Sequence, residues 1–167
     1  MRNKLSFRFV QVGDARRFLE ILNHPEFVHF PSPPKTINGE KVFLRKCIEQ
    51  RKQGKRFAYA ILLNEKVIGS AGIYIMNRSH CAEIGYFVDA TCWGRGIACE
   101  AVRLLEDKAF NELGIVRIEI NMPKQNKASE RVAIKCGYRK EGIGRKKLKL
   151  NDKYIDCYVY SKVRVSR

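Results

Sequence analysis

The sequence has few acidic residues and no long hydrophobic run. It holds 17 Asp and Glu residues against 33 Lys and Arg residues, which gives a formal net charge of +16 at pH 7. Its longest apolar segment, 57–63, is far too short to cross a bilayer as a helix. The first 14 residues alternate like a strand and lack the hydrophobic core of a signal peptide. We therefore expect a soluble cytoplasmic protein.

Paired metal-binding or disulfide-forming motifs are also missing. The six cysteines are scattered, and no two of them form a C-x-x-C pair. The three histidines match neither a zinc-finger pattern nor H-E-x-x-H. Most of the cysteines lie in apolar or mixed segments, where a thiol acts as a small hydrophobic group. We expect reduced structural thiols and no bound metal.

The excess of positive charge favours anionic partners. Nucleic acid, the ribosome, acidic proteins and polyphosphate cofactors are all attracted by such a surface, whereas a polycation is repelled. Basic residues concentrate in 45–56 and 139–153, although a simple solvated face has the same composition. The sequence shows no acidic cluster that would draw in a polycationic substrate.

Hydrophobic periodicity predicts one α+β domain over residues 1–167. The predicted strands are 5–10, 56–63, 67–76, 78–88, 116–121, 138–150 and 154–163. The predicted helices are 14–23, 39–53, 97–113 and 126–136. In the second helix, Val42, Phe43, Cys47 and Ile48 form the expected apolar stripe. The Pro-rich segment 24–38 and this helix are expected to shape a substrate pocket.

The most informative segment is 93–98, WGRGIA, between a predicted strand and a long amphipathic helix. A glycine turn that opens a helix presents backbone N–H groups where the helix dipole favours an anion. Glycine lets the main chain approach phosphate oxygens closely. A phosphorylated cofactor is therefore expected here. A dinucleotide site is disfavoured because Cys99 occupies the third glycine position, and the P-loop motif is absent.

Three motifs in order resemble the GCN5-related N-acetyltransferase (GNAT) family, and within it the RimJ/RimL-like ribosomal-protein N-terminal acetyltransferase branch. They are AEIGYFVD at 82–89, WGRGIA at 93–98, and NKAS at 126–129 followed by KCGY at 135–138. Segment 151–156 is similar to the terminal hairpin of that branch. The resemblance covers nearly the whole chain. It implies a central mixed, mostly antiparallel sheet of about seven strands with about four flanking helices.

The resemblance also implies acetyl-CoA as cosubstrate. The loop amides would hold the pyrophosphate, the strand end would pair with the pantetheine amides, and Asn126 would contact the cofactor further along. The cofactor-binding residues so implied are Tyr86, Phe87, Val88, Trp93, Gly94, Arg95, Gly96, Ile97, Ala98 and Asn126. Trp93 departs from the family motif, which has Gln or Arg at this position.

Direct acetyl transfer requires that the amine lose a proton and that the departing thiolate gain or share one. Many family members use a tyrosine seven residues after the asparagine for the second task, but this position is Ala133 here. Ser129 is the candidate that the branch resemblance implies, with ordinary helix capping as the alternative. Glu119 and Glu83 are the candidate bases. Each is equally suited to a structural ion pair, and a relayed water is a further alternative.

The expected function is transfer of acetyl from acetyl-CoA to a protein N-terminus or a small-molecule amine. A ribosomal or other protein is an expected acceptor, and a monomer or homodimer the expected assembly. Leu148 stands where one member of this branch has a catalytic glutamate. This difference argues against a ribosomal protein as the acceptor. The alternative is a non-catalytic RNA- or ribosome-binding protein that keeps the fold. Its basis is the mixture of aromatic and basic residues in 138–154, although no RNA-binding signature accompanies them.

Overall fold

Seven strands form one sheet in the computed structural model, which describes residues 4–30, 35–76, 80–150 and 152–165. The strands are β1 (Leu5–Phe9), β2 (Arg56–Leu63), β3 (Lys66–Ile75), β4 (Cys81–Val88), β5 (Arg117–Pro123), β6 (Arg139–Leu150) and β7 (Lys153–Val163). The helices are α1 (Ala15–Leu22), α2 (Ile37–Lys52), α3 (Ile97–Asp107) and α4 (Lys127–Lys135). The architecture is α+β, with one seven-stranded sheet and four α-helices in the described residues, as the sequence predicted.

The strand order is β1-β2-β3-β4-β5-β7-β6. Strands β4 and β5 run parallel, and the other five neighbouring pairs in the described chain run antiparallel. A parallel pair needs a long crossover, which α3 provides between β4 and β5. The expected mixed, mostly antiparallel sheet is therefore confirmed.

Helices cover both faces of the sheet. On one face, Ala82 and Ile84 of β4 belong to the main core together with Val102 and Leu105 of α3. On the other face, α1 and α2 form a smaller core with β2. All six cysteines are buried free thiols. None of the helices in the described part of the chain combines the length and hydrophobicity that a membrane crossing requires.

Helix α2 differs from the prediction in its start and in its buried face. It begins at Ile37 because the Thr36 hydroxyl accepts a hydrogen bond from the Gly39 amide at 3.0 Å and caps the helix. Val42 is 62% exposed and Phe43 is 43% exposed, so the expected apolar stripe was wrong at these two positions, whereas Cys47 is buried as expected. The buried stripe consists of Glu40, Leu44 and Cys47 instead.

Other element ends differ from the predictions by a few residues. Asn64 and Glu65 alone form the turn between β2 and β3, both with positive φ, and Lys66 already belongs to β3. Helix α3 ends at Asp107, and the chain continues through one π-helical segment to Glu112. Positions 78–79 of the predicted strand 78–88 and position 151 of the predicted terminal turn lie outside the described residues.

Candidate functional site

Strands β4 and β5 separate after a short paired stretch. Their parallel ladder contains three pairs and ends at Glu83 and Glu119. Beyond this pair, β4 runs on to Val88 and β5 to Pro123 without further pairing between them in the described residues. The edge of β4 that faces β5 is therefore open along its second half. An open strand edge is a template for an extended ligand with amide groups.

The glycine loop lies at the carboxyl end of β4. Gly94 and Gly96 have φ values of 77° and 79°, in the left-handed region that favours glycine. Helix α3 begins directly after Gly96, so its first amides have no partner within the helix. A Cβ placed on either glycine would meet no protein atom within 4 Å. The loop therefore presents N–H groups to open space, as an anion cradle requires.

Trp93 links the loop to the strand. Its indole N–H donates to the Val88 carbonyl at 2.6 Å, and its ring packs 5.6 Å from that of Phe27. The ring is 44% exposed, so one side of it still faces solvent. The sequence grouped Trp93 with the cofactor-binding residues and gave no sign of this hydrogen bond. The bond ties the end of β4 to the glycine loop.

Ser129 faces β4 from the first turn of α4. Its hydroxyl lies 2.9 Å from the Tyr86 hydroxyl. The helix cap is supplied by Asn126, whose side-chain oxygen accepts a hydrogen bond from the Ser129 amide at 3.1 Å. Burial raises the pKa of Tyr86 far above its ordinary value, against the opposing effect of the Ser129 hydrogen bond. Tyr86 thus stays a neutral phenol, and the Ser129 hydroxyl takes no part in the cap.

Glu83 and Glu119 are register partners at the fork between the strands, so their side chains share one face. Glu119 is held by Arg117 at 2.9 Å and Lys147 at 3.0 Å. Burial acts to raise its pKa, but these cationic hydrogen-bond partners bring the pKa of Glu119 below its ordinary value. Burial raises the pKa of Glu83, with weaker opposition from Asn121 and Lys147. Paired carboxylates whose pKa values are pushed apart typically divide acid, base and electrostatic roles.

The fold thus brings Glu83, Glu119, Tyr86 and Ser129 to the β4–β5 opening, with the glycine loop at one end. Leu148 lies half-buried on β6 opposite Ile155. The sequence analysis did not identify Lys147 as a partner of Glu119. Lys147 reaches Glu119 from β6, where the pairing with β7 is irregular between Gly144 and Leu148. Among the described residues, no group of three or more His, Cys, Asp or Glu side chains is arranged to hold a metal ion.

The chain belongs to the GNAT acetyltransferase family, since the acetyltransferase (GNAT) domain model matches residues 4–139. It is similar to the L-amino acid N-acetyltransferase AaaT of Escherichia coli K12, with 33% identity over 97% of this chain and 99% of the relative. It is also similar to the ribosomal-protein-serine acetyltransferase of the same organism, with 29% identity over 85% of this chain and 76% of the relative.

The solved structures include a RimJ of Mycobacterium smegmatis in complex with CoA-disulfide. It superposes with a TM-score of 0.86 and 21% identity, and the match covers 95% of this chain and 81% of that one. This likeness shows the fold that the sequence predicted. The family match and the curated relatives identify the chain as an N-acetyltransferase, an enzyme that transfers acetyl to an amine. The relatives lend no support to a non-catalytic RNA-binding role.

Proposed function

We propose that acetyl-CoA binds in the β4–β5 opening and that its acetyl group passes there to a protein N-terminus or a small-molecule amine. The observation that carries this proposal is the separation of β4 from β5 beside the glycine loop. Acetyl-CoA, as a thioester, supplies an acyl carbon that an amine can attack. The chain must hold the donor, remove a proton from the amine and stabilise the departing sulfur.

The glycine loop suits the pyrophosphate. The amides that would hold it belong to Gly94, Arg95, Gly96, Ile97 and Ala98. The open space beside both glycines is room that a Cβ would fill, and amide groups at a helix start bind phosphate oxygens. Arg95 is exposed and forms no ion pair with a described residue, so its charge is free to favour the phosphates.

The open edge of β4 suits the pantetheine arm. Its two amide groups match a strand's alternation of donors and acceptors, and the backbone of Tyr86, Phe87 and Val88 lies along this edge. The side-chain nitrogen of Asn126 makes no hydrogen bond to a described residue, because its oxygen alone serves the cap. It would donate to the arm near the point where α4 begins.

Glu83 is the residue that we assign as general base. Its raised pKa makes its carboxylate a better proton acceptor than that of Glu119, which two cations stabilise in the charged form. Glu119 and a water relayed from either carboxylate are the alternatives. Glu83 takes one proton from the acceptor nitrogen, directly or through one water, as the carbon–nitrogen bond forms.

We assign Ser129 the role of stabilising the departing sulfur of CoA. When Tyr86 donates its proton to the Ser129 oxygen, the serine keeps its own proton for another acceptor. The serine then donates a hydrogen bond to the sulfur, which leaves as a thiolate when the carbon–sulfur bond breaks. We further propose that residues 1–167 form a single domain that acts in the cytoplasm, as a monomer or homodimer, with ribosomal or other protein N-termini among its acceptors.

A free-thiol release assay tests this function. Acetyl-CoA is offered with N-terminal serine and alanine peptides, L-amino acids and spermidine, to the wild type and to the Glu83→Gln variant. We expect thiol release that depends on an amine and falls about 100-fold in the variant, as is typical for loss of a general base. Absence of amine-dependent release across the panel would contradict the proposal.

A further inference from the structure

The guanidinium of Arg56, the first residue of β2, lies against two aromatic rings. Its central carbon is 5.4 Å from the ring centre of Phe43 on α2 and 5.2 Å from that of Tyr74 on β3. Phe43 is 43% exposed and Tyr74 is 41% exposed, so both rings also face solvent. Aromatic rings hold a guanidinium in place without neutralising its charge. We call Phe43, Arg56 and Tyr74 the ring–arginine cluster.

No carboxylate of the described residues neutralises Arg56. Arg8, Arg17 and Arg117 each bind an acidic side chain, whereas Arg56 forms no ion pair in the described part of the chain. Its one side-chain hydrogen bond there is a 3.5 Å contact from a guanidinium nitrogen to the Cys47 Sγ atom. A guanidinium has five N–H donors in a planar fork that matches a carboxylate. Most of these donors are therefore available to a carboxylate of another molecule.

The ring–arginine cluster shares a row of the sheet with the proposed base. Arg56 of β2 pairs with Tyr74 of β3, which in turn pairs with Glu83 of β4. Register partners share a face of the sheet, and Arg56 is two strands from Glu83, or about 10 Å. Burial raises the pKa of Glu83, and the positive charge of Arg56 is among the effects that oppose it. The cluster and the base therefore belong to one continuous surface.

Further positive charge lies beside the cluster on α2. Lys46 is exposed one helical turn after Phe43, and residues three apart on a helix are neighbours. Arg45 is also exposed. Neither Lys46 nor Arg45 forms an ion pair with a described residue. Unpaired charges of one sign raise the local potential and attract a group of the opposite sign. The surroundings of the cluster therefore favour an anionic ligand.

We infer that Arg56 binds an acidic side chain at the second or third residue of a peptide acceptor. This subsite rests on the proposed function and narrows its acceptor class to proteins and peptides with an acidic N-terminal segment. An extended chain advances about 3.3 Å per residue, so an acidic side chain at either position can reach Arg56 while the terminal amine lies at Glu83. The fork of Arg56 holds the carboxylate, and the two rings contact the methylene groups of the same side chain.

A nucleic acid is the other class of ligand that aromatic rings beside a cation can hold. The row of the sheet favours the peptide, because it leads from Arg56 to the Glu83 carboxylate. That carboxylate accepts a proton from an amine but repels a phosphate backbone.

Calorimetric titration of the enzyme–CoA complex with matched peptides tests this inference without requiring turnover. The peptides are Ser-Glu-Ala-Ala-amide and Ser-Ala-Glu-Ala-amide, each with a counterpart in which glutamine replaces glutamate. The variants are Arg56→Gln and, as control, Arg51→Gln, which also removes one charge and one ring contact, to Phe9 on β1. We expect the wild type and the control to bind at least one glutamate peptide about tenfold more tightly than its glutamine counterpart. Arg56→Gln should lose this preference.

Two further readouts separate binding from a structural role. Arg56→Lys keeps the charge without the planar fork, so it should keep part of the preference. With a glutamine peptide as acceptor, Arg56→Gln should move the acidic limb of kcat/KM to higher pH, because loss of a nearby cation raises the pKa of Glu83. Arg51→Gln should leave the limb where it is in the wild type.

Three outcomes overturn the inference. They are no preference for glutamate in the wild type, an equal preference in the wild type and Arg56→Gln, and tighter binding of single-stranded RNA than of either glutamate peptide. The affinity of each protein for CoA alone is measured first and should be the same in all of them. Failure of the wild type to bind CoA, or to release thiol with any amine, would contradict the proposed function and is distinguishable from these outcomes.

Discussion

The hydroxyl of Tyr86 lies 2.9 Å from the hydroxyl of Ser129 and joins β4 to the first turn of α4. Asn126 caps this helix, so the serine hydroxyl is available for another purpose. Side chains alternate between the two faces of a strand. Tyr86 lies on the face of β4 that packs towards α3, whereas Glu83, three residues before it, lies on the opposite face. The proposed hydrogen-bond donor and proton acceptor thus approach the strand opening from opposite sides.

Replacement of Ser129 should affect turnover more than cofactor binding. We expect Ser129→Ala to lower kcat roughly tenfold to 100-fold, because the departing thiolate loses its hydrogen-bond donor. The Kd for CoA should change less than about fivefold, since one neutral hydrogen bond contributes about 1 kcal/mol or less. Tyr86→Phe should lower kcat by a smaller factor, because it leaves Ser129 in place but unoriented. An unchanged kcat in Ser129→Ala would leave the serine with a structural role only.

The pH dependence of the rate should distinguish the two carboxylates. A base works only when deprotonated, so activity falls as pH drops through its pKa. Burial raises the pKa of Glu83 above its ordinary value. The acidic limb of the profile of rate against pH should therefore lie at a correspondingly higher pH. Glu83→Gln should remove this limb. Glu119→Gln should keep it and move it to lower pH, because the negative charge of Glu119 raises the pKa of Glu83 and its removal relieves this effect.

The measurement is kcat/KM against pH for both variants with one acceptor. Loss of the limb in Glu119→Gln with retention in Glu83→Gln would reverse the assignment of the base. Retention in both variants would favour a water relay that uses neither carboxylate alone.

The sequence predicted those parts of the site that depend on local pattern. Gly94 and Gly96 stand out because no other residue easily adopts their backbone conformation, and Asn126 is a strong N-cap in any helix. The strand that holds Glu83 follows from its alternation. These features need only neighbouring residues, so periodicity and turn chemistry were sufficient.

The remaining features depend on pairing across the sheet. Lys147 reaches Glu119 only because β6 is irregular beside Cys157 and lies beyond β7 in the strand order. Glu40 was missed because a glutamate in an amphipathic helix is ordinarily on the exposed face, and the true buried stripe lies about one residue away from the predicted one. Neither feature leaves a signal in the sequence.

Gly69 should be essential for the packing of β3 against β4. A Cβ on Gly69 would lie 2.2 Å from the Phe87 carbonyl oxygen, which is backbone and cannot rotate away. We expect Gly69→Ala to lower the free energy of unfolding by about 3 kcal/mol, in the range of overpacked cores. The melting temperature should fall by roughly 10 °C for a domain of this size. Gly85→Ala is the control, because its Cβ meets no protein atom, and equal melting of the two variants would contradict the close approach.

Net charge should disfavour polyamines as acceptors. The chain carries +16, and the acidic pair at the fork is offset by Arg117 and Lys147. We expect kcat/KM for spermidine to be lower than for a neutral or acidic N-terminal peptide. Added salt should reduce the rate for acidic peptides, because screening weakens long-range attraction. Spermidine as the best acceptor at low and high salt would show that the local field of the β4–β5 opening outweighs the net charge.

Titration of CoA into the wild type and the Gly96→Val variant tests the central claim most directly. Gly54→Val is the matched control, because Gly54 also has positive φ and open space at its Cβ position but lies in the turn before β2. The account predicts stoichiometric CoA binding by the wild type and the control. Gly96→Val should lose about 100-fold in affinity, because its side chain fills the cradle and displaces charge-assisted hydrogen bonds. Equal CoA affinity in all three proteins would show that the glycine loop does not hold the cofactor.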